Sequence, residues 1–184
     1  MTKVDLKTIK NFTQQELAKI CLNEDWTKLT LEVVSMADRL RDKNEGPIIL
    51  SSGYNTSGHA TDSLHYQGKA LDLTMLMTVN ENDLPYAFPN SWKVSKQAHN
   101  QVLVPRPLLD QFILAERFAN MGGLGVYPNF NLPGLHIDVR SADSNQNQAR
   151  WWRDKNGVYQ YLNKYEDIKA FYLVLSDNYK LYIR

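Results

Sequence analysis

At 184 residues and a net charge of +1, the chain is long enough for one domain with a real core and too short for two comfortable ones. Its 43% hydrophobic and 22% charged residues suit a soluble protein, and so balanced a charge excludes a general attraction to nucleic acid or to an anionic membrane. The single cysteine, Cys21, excludes an internal disulfide and a cysteine zinc cluster. No apolar run is long enough to cross a bilayer and the N-terminus has no leader-like stretch, so the expectation is a soluble protein made in the cytosol. One unit is expected over residues 1–184, with a core at about 13–155 and an extension at about 158–184.

Thr13-Gln14-Gln15-Glu16 has the form of a capping box, in which hydroxyl and carboxylate satisfy each other's free amides. A helix is therefore expected from about residue 14, with Leu17, Ile20 and Cys21 facing inward. From Trp26 to Lys43, the residues Leu29, Val33, Met36, Ala37 and Leu40 recur at helical intervals, and Asn44-Glu45-Gly46-Pro47 ends this second helix. Ile48 to Ser52 is a β-rich run between turn residues and reads as a strand. Residues 55–62 read as a loop, in which His59 faces solvent or substrate rather than a metal. The chain is irregular over 80–104, a length that implies a lid or short elements of its own.

Pro105-Arg106-Pro107 opens a helix reaching about residue 120, because proline suits the first helical position. Its buried face would be Leu108, Leu109, Phe112, Ile113 and Phe118, and Gly122-Gly123 closes it. Residues 124–127 and 135–139 read as strands. The tail alternates tyrosine with charge over 158–162 and then forms a helix over 166–175, with its tyrosines expected in the core.

His65 and Asp72 lie seven residues apart around Gly68, and Leu135-His136-Ile137-Asp138-Val139 alternates as a strand with two polar residues on one face. His65, Asp72 and His136 would offer zinc two nitrogens and one oxygen, leaving a fourth position for water. The plainer reading is two ordinary hydrogen-bonded histidines. Zinc held this way lowers the pKa of its water to roughly 7 and polarises a carbonyl. Asp138, on the same strand face as His136, would be the general base. Alternatively it orients the ligand histidine, or exchanges the ligand role with it. Gly68 and Ala70 are expected to be small because the backbone folds back against the strand of His136, with Tyr66 and Leu71 pointing into the core.

The wording of these runs carries further information. Ser63-x-His65-x-x-Gly68-x-Ala70-x-Asp72 resembles the first metal motif of the zinc D-alanyl-D-alanine carboxypeptidases and murein endopeptidases, whose fold is shared with the hedgehog signalling domain. Ser52-Gly53-Tyr54, the run from Gly122 to Pro128, His136-Ile137-Asp138 and Ala149-Arg150-Trp151 are similar to that family's other landmarks. They stand in the same order, from about residue 48 to about 152.

The resemblance implies an α+β fold, a small antiparallel sheet with flanking helices, with Zn2+ as cofactor. It implies hydrolysis of peptide bonds in peptidoglycan stems or cross-links, with Tyr54, Asn55, Ser63, Arg140, Arg150 and Trp151 along the substrate. Asn55 stands where the family has an arginine on the substrate's carbonyl or carboxylate; it carries no charge, so Arg140 or Arg150 would have to supply it. Ser63 braces the turn, and of Trp151 and Trp152 one is expected buried and one near the cleft. The implied partner is the peptidoglycan peptide stem, met by a monomer, with no nucleic acid and no membrane insertion. A wall substrate lies outside the cytoplasmic membrane, so a chain without a leader implies a phage lysin or a dedicated export route. The alternative is a zinc-containing binding module, or a phage structural protein of the same fold, that does not hydrolyse.

Overall fold

The computed structural model describes residues 4–118, 122–140 and 148–183. In chain order it has α1 (Gln14–Lys19), α2 (Leu31–Asn44), β1 (Ile48–Ser52), β2 (Ala70–Asn80), β3 (Ser95–Lys96), β4 (Gln101–Pro105), α3 (Leu108–Phe118), β5 (Gly123–Tyr127), β6 (Gly134–Asp138), β7 (Ala149–Arg153), β8 (Tyr159–Tyr161) and α4 (Tyr165–Tyr179). The fold is α+β. The strands run in the order β3-β4-β2-β6-β5-β7-β8, with β1 against β2, and all pairs are antiparallel except β5 with β7. No helix among the described residues is long and apolar enough to cross a membrane.

Alternation along the central strands separates two faces. Leu71, Leu73, Leu124, Val126, Leu135, Ile137 and Trp152 join the main core with Val33, Met36, Ala37, Leu40 and Leu108 of the helices. The opposite face carries Asp72, His136, Gly125, Trp151 and Tyr161, which the register places side by side across five strands. The helices therefore cover the apolar face and leave this polar and aromatic row uncovered by them.

The capping box of α1 is present, with Thr13 Oγ accepting from Glu16 N and Glu16 Oε2 accepting from Thr13 N. The second helix begins later than its periodicity predicts. Trp26–Lys28 is a short 3-10 turn, Leu29 is extended, and α2 starts at Leu31. The reason is tertiary: Thr30 N donates to Gly68 O at 2.9 Å, so the chain opens there to meet the loop before β2. Gly68 has φ +65°, and an added Cβ would overlap the Lys28 carbonyl. Its smallness thus serves the 28–30 segment and not the strand of His136, whereas Ala70 does pair with Asp138.

Residues 80–104 are less irregular than their composition suggests. β4 pairs with the far half of β2, and Phe88, Trp92, Val102 and Val104 form a second small core against Tyr182. In α3, Ile113 is 43% exposed and lies off the buried face; the side chain of Phe118 lies outside the described residues. Of the tail tyrosines, Tyr182 packs on the second core as expected, whereas Tyr165 and Tyr172 are 76% and 61% exposed, because α4 buries Phe171 and Leu175 instead.

Candidate metal centre

His65 is placed by a 3-10 turn, Leu64–Gln67, whose cap is Ser63: the Ser63 hydroxyl accepts from His65 N at 3.3 Å, and Gly68 ends the turn in the left-handed region. Asp72 is the third residue of β2, opposite His136 of β6 on one side and Ser52 of β1 on the other. A register irregularity between Leu50 and Ser52 ends β1 at this level. The Gly53 carbonyl just beyond it accepts from His65 Nδ1 at 2.8 Å.

Three atoms then converge. His65 Nε2 lies 3.2 Å from His136 Nδ1 and 3.4 Å from Asp72 Oδ1, and His136 Nδ1 lies 2.9 Å from Asp72 Oδ1. Tetrahedral ligands about 2.0–2.1 Å from zinc are roughly 3.3 Å apart, so the spacing fits the ion. The far nitrogens support the same fit. His65 Nδ1 is committed to the Gly53 carbonyl, and His136 Nε2 faces Asp138 Oδ2 at 3.2 Å. Both rings therefore point a lone pair at the shared point, an arrangement that calls for a cation between them.

The electrostatics agree. Burial lowers the affinity of His136 for a proton, but hydrogen bonds to Asp138 and Asp72 outweigh it and raise its pKa to about 9. Burial would raise Asp72, yet hydrogen bonds from His136 and His65 hold it far below the usual carboxylate range. Asp138 is likewise depressed against its burial, by His136 and Arg140. It is fully buried, with Arg140 Nε on Oδ1 at 2.9 Å and Arg140 Nη2 on Oδ2 at 2.9 Å.

The ion point opens into a cavity of about 630 Å³ lined by His59, Ser63, His136, Arg140, Trp151 and Tyr161 among others. Of the residues expected along a substrate, Ser63, Arg140 and Trp151 line it. Tyr54 packs instead against the main core, Asn55 turns its Oδ1 to Thr56 N at 2.8 Å, and Arg150 pairs with Glu116. Arg150 therefore cannot supply the charge missing at Asn55. Both tryptophans are buried, Trp152 in the core and Trp151 against the cavity. The indole of Trp151 reaches over Gly125, where a Cβ would lie 2.5 Å from it, and approaches His136 at 5.2 Å between ring centres.

His59 stacks on His65, with ring centres 4.1 Å apart and planes within 12°. Its ligand nitrogen, with those of His65 and Asp72, falls in a cluster spanning no more than 4.8 Å. In this pose it cannot donate to the same ion as His65, because parallel stacked rings do not share an in-plane point. Burial first, and then its electrostatic interaction with His65, lowers its pKa. Tyr66 does not enter the core: its hydroxyl donates to His59 O at 2.8 Å and accepts from His59 N at 3.1 Å, fastening the loop. Tyr127, Tyr159 and Tyr161 also line the cavity. Tyr127 is the last residue of β5, and Tyr159 and Tyr161 arrive because β7 and β8 join the sheet beside it.

No curated protein and no solved structure matches the chain. Residues 10–94 match the Peptidase M15 family. Over that stretch, which supplies His59, His65 and Asp72, the chain is similar to a family of zinc D-Ala-D-Ala carboxypeptidase-like peptidases.

Proposed function

We propose that the chain is a zinc metallopeptidase acting on peptide bonds of peptidoglycan stems or cross-links. The observation that carries this reading is the meeting of His65 Nε2, Asp72 Oδ1 and His136 Nδ1 within 3.4 Å, with the far nitrogen of each ring already engaged. Zinc held by these three would polarise the scissile carbonyl and make its bound water acidic. The wall substrate is supported by the motif resemblance from residue 48 to 152 and by the peptidase family match.

The side chains divide the remaining work. Asp138, with both oxygens on Arg140 and one also on His136, suits holding the His136 ring better than taking a proton. His59 is half-buried at the cavity wall with its pKa lowered by burial, so it is the group assigned to accept the proton of the attacking water and return it to the leaving amine. Burial raises the Tyr127 hydroxyl far above the ordinary tyrosine range, so it stays protonated at the cavity wall.

The test is digestion of purified muropeptides with detection of new amines. Product is expected with zinc, lost with chelator, restored by zinc, and absent in His65→Ala. Bound zinc without turnover on any wall fragment would instead favour a binding module, a reading that the placement of Asn55 away from the cavity supports.

A further inference from the structure

We propose that Arg153 forms an anion subsite of the same groove, receiving a substrate carboxylate about three residues of extended peptide from the metal centre. This rests on the peptidase reading for the course of the substrate. Arg153 ends β7 on the face that carries Trp151, so it lies two strands and two residues from His136, about 12 Å between Cα atoms by strand geometry.

Its guanidinium is held in a built recess. The guanidinium carbon lies 5.8 Å from the centre of the Phe130 ring and 6.0 Å from that of Tyr159, and Nε donates to Gly157 O at 3.2 Å. The following turn is shaped to allow this. Asp154 Oδ1 accepts from Asn156 N at 2.8 Å and Val158 N at 2.9 Å, and Gly157 takes φ +83°, the left-handed region that favours glycine, with Arg153 Nη2 3.1 Å from where a Cβ would stand.

The charge of Arg153 has no carboxylate partner among the described residues. Arg41, Arg140 and Arg150 pair with Glu16, Asp138 and Glu116, whereas no carboxylate among the described residues lies within ion-pair distance of Arg153. Its neighbour Asp154 spends its oxygens on Asn156, Val158 and Gln160. Arg153 borders a recess of about 270 Å³ that Asn129, Asp154 and Lys155 also line, and Tyr127 lines both this recess and the main cavity. A half-buried guanidinium between two rings, with its paired N–H fork unspent, is complementary to a carboxylate.

The experiment compares two substrates on the full chain loaded with zinc: a stem peptide with free glutamate and diaminopimelate carboxylates, and the same peptide with those groups amidated. Arg153→Gln should reduce the preference in kcat/KM for the free form by about ten- to a hundredfold, with Arg153→Lys recovering only part. An unchanged preference overturns the subsite. So does loss of the preference in Lys69→Met with none in Arg153→Gln, since Lys69 lines the main cavity itself. If neither peptide is cleaved, the peptidase reading falls and calorimetric binding of the same two peptides decides the subsite. Tighter binding of the free form, lost in Arg153→Gln, sustains it, and equal affinities overturn it.

Discussion

His65 Nε2 and His136 Nδ1 face each other at 3.2 Å, with Asp72 Oδ1 beside both. A proton or a divalent ion satisfies this point, and the two compete. Because Asp138 and Asp72 raise His136 to about 9 against its burial, zinc binding should release close to one proton below that pH. Apparent affinity should then rise about tenfold per pH unit from pH 6.5 toward 9. In zinc-free protein the raised pKa contributes stability that is fully present below the ordinary histidine value and is lost as pH rises through about 9. Calorimetry in buffers of different ionisation enthalpy measures the proton count; a count near zero at pH 7 would show that zinc displaces no proton from His136.

Asp138 touches the ring of His136 on the side away from Asp72. If it positions that ring, Asp138→Ala should weaken zinc binding by about ten- to a hundredfold, the usual cost of losing an outer-shell partner. If it were only a proton acceptor, zinc affinity would hold and kcat alone would fall. Competition with a chromophoric chelator separates the two results.

How far the sequence was legible varies with how local each cause is. The capping box at Thr13 and Glu16, and the strand from Ile48 to Ser52, lie where short-range chemistry puts them. The break at Leu29 and Thr30 was not legible, because the partner of Thr30 N is Gly68 O, thirty-eight residues away. The strand at Gln101–Pro105 was hidden for a similar reason: its five residues are justified by the far half of β2. In the site, His65 and Asp72 are brought near each other by one turn and one strand, which spacing can express. Trp151, Arg153 and Tyr161 reach the same face only because β7 adds parallel to β5, and no local pattern encodes that pairing. The tyrosines of α4 are exposed and not in the core, and alternation with charge does not say which side of a helix is covered.

Gly125 is the gap through which Trp151 reaches His136. An added methyl would lie 2.5 Å from the indole Cε2 and Nε1. Gly125→Ala should therefore push the ring off His136 and cost about 1–3 kcal/mol of stability, as overpacking of a tight site does. Urea unfolding measures the loss, and tryptophan emission reports the displaced ring. A variant as stable as the parent with the same emission would mean that the indole has another resting place.

Gln111 is the polar pin between α3 and the sheet. It is fully buried; its Oε1 accepts from Met75 N at 3.0 Å, and its Nε2 donates to Arg106 O at 2.7 Å and Pro133 O at 3.2 Å. Leucine fills nearly the same volume but leaves three backbone groups without this partner. Each unsatisfied buried group costs about 1–3 kcal/mol, so Gln111→Leu should lose on the order of 3 kcal/mol or more. Met75 is three residues beyond Asp72 on β2, and Pro133 is three before His136, so the same side chain braces both strands that carry candidate ligands. Zinc should consequently recover part of the lost stability, because it ties those strands together at the other end. Thermal unfolding with and without zinc measures this, and a loss below about 1 kcal/mol would mean that water replaces the amide at all three contacts.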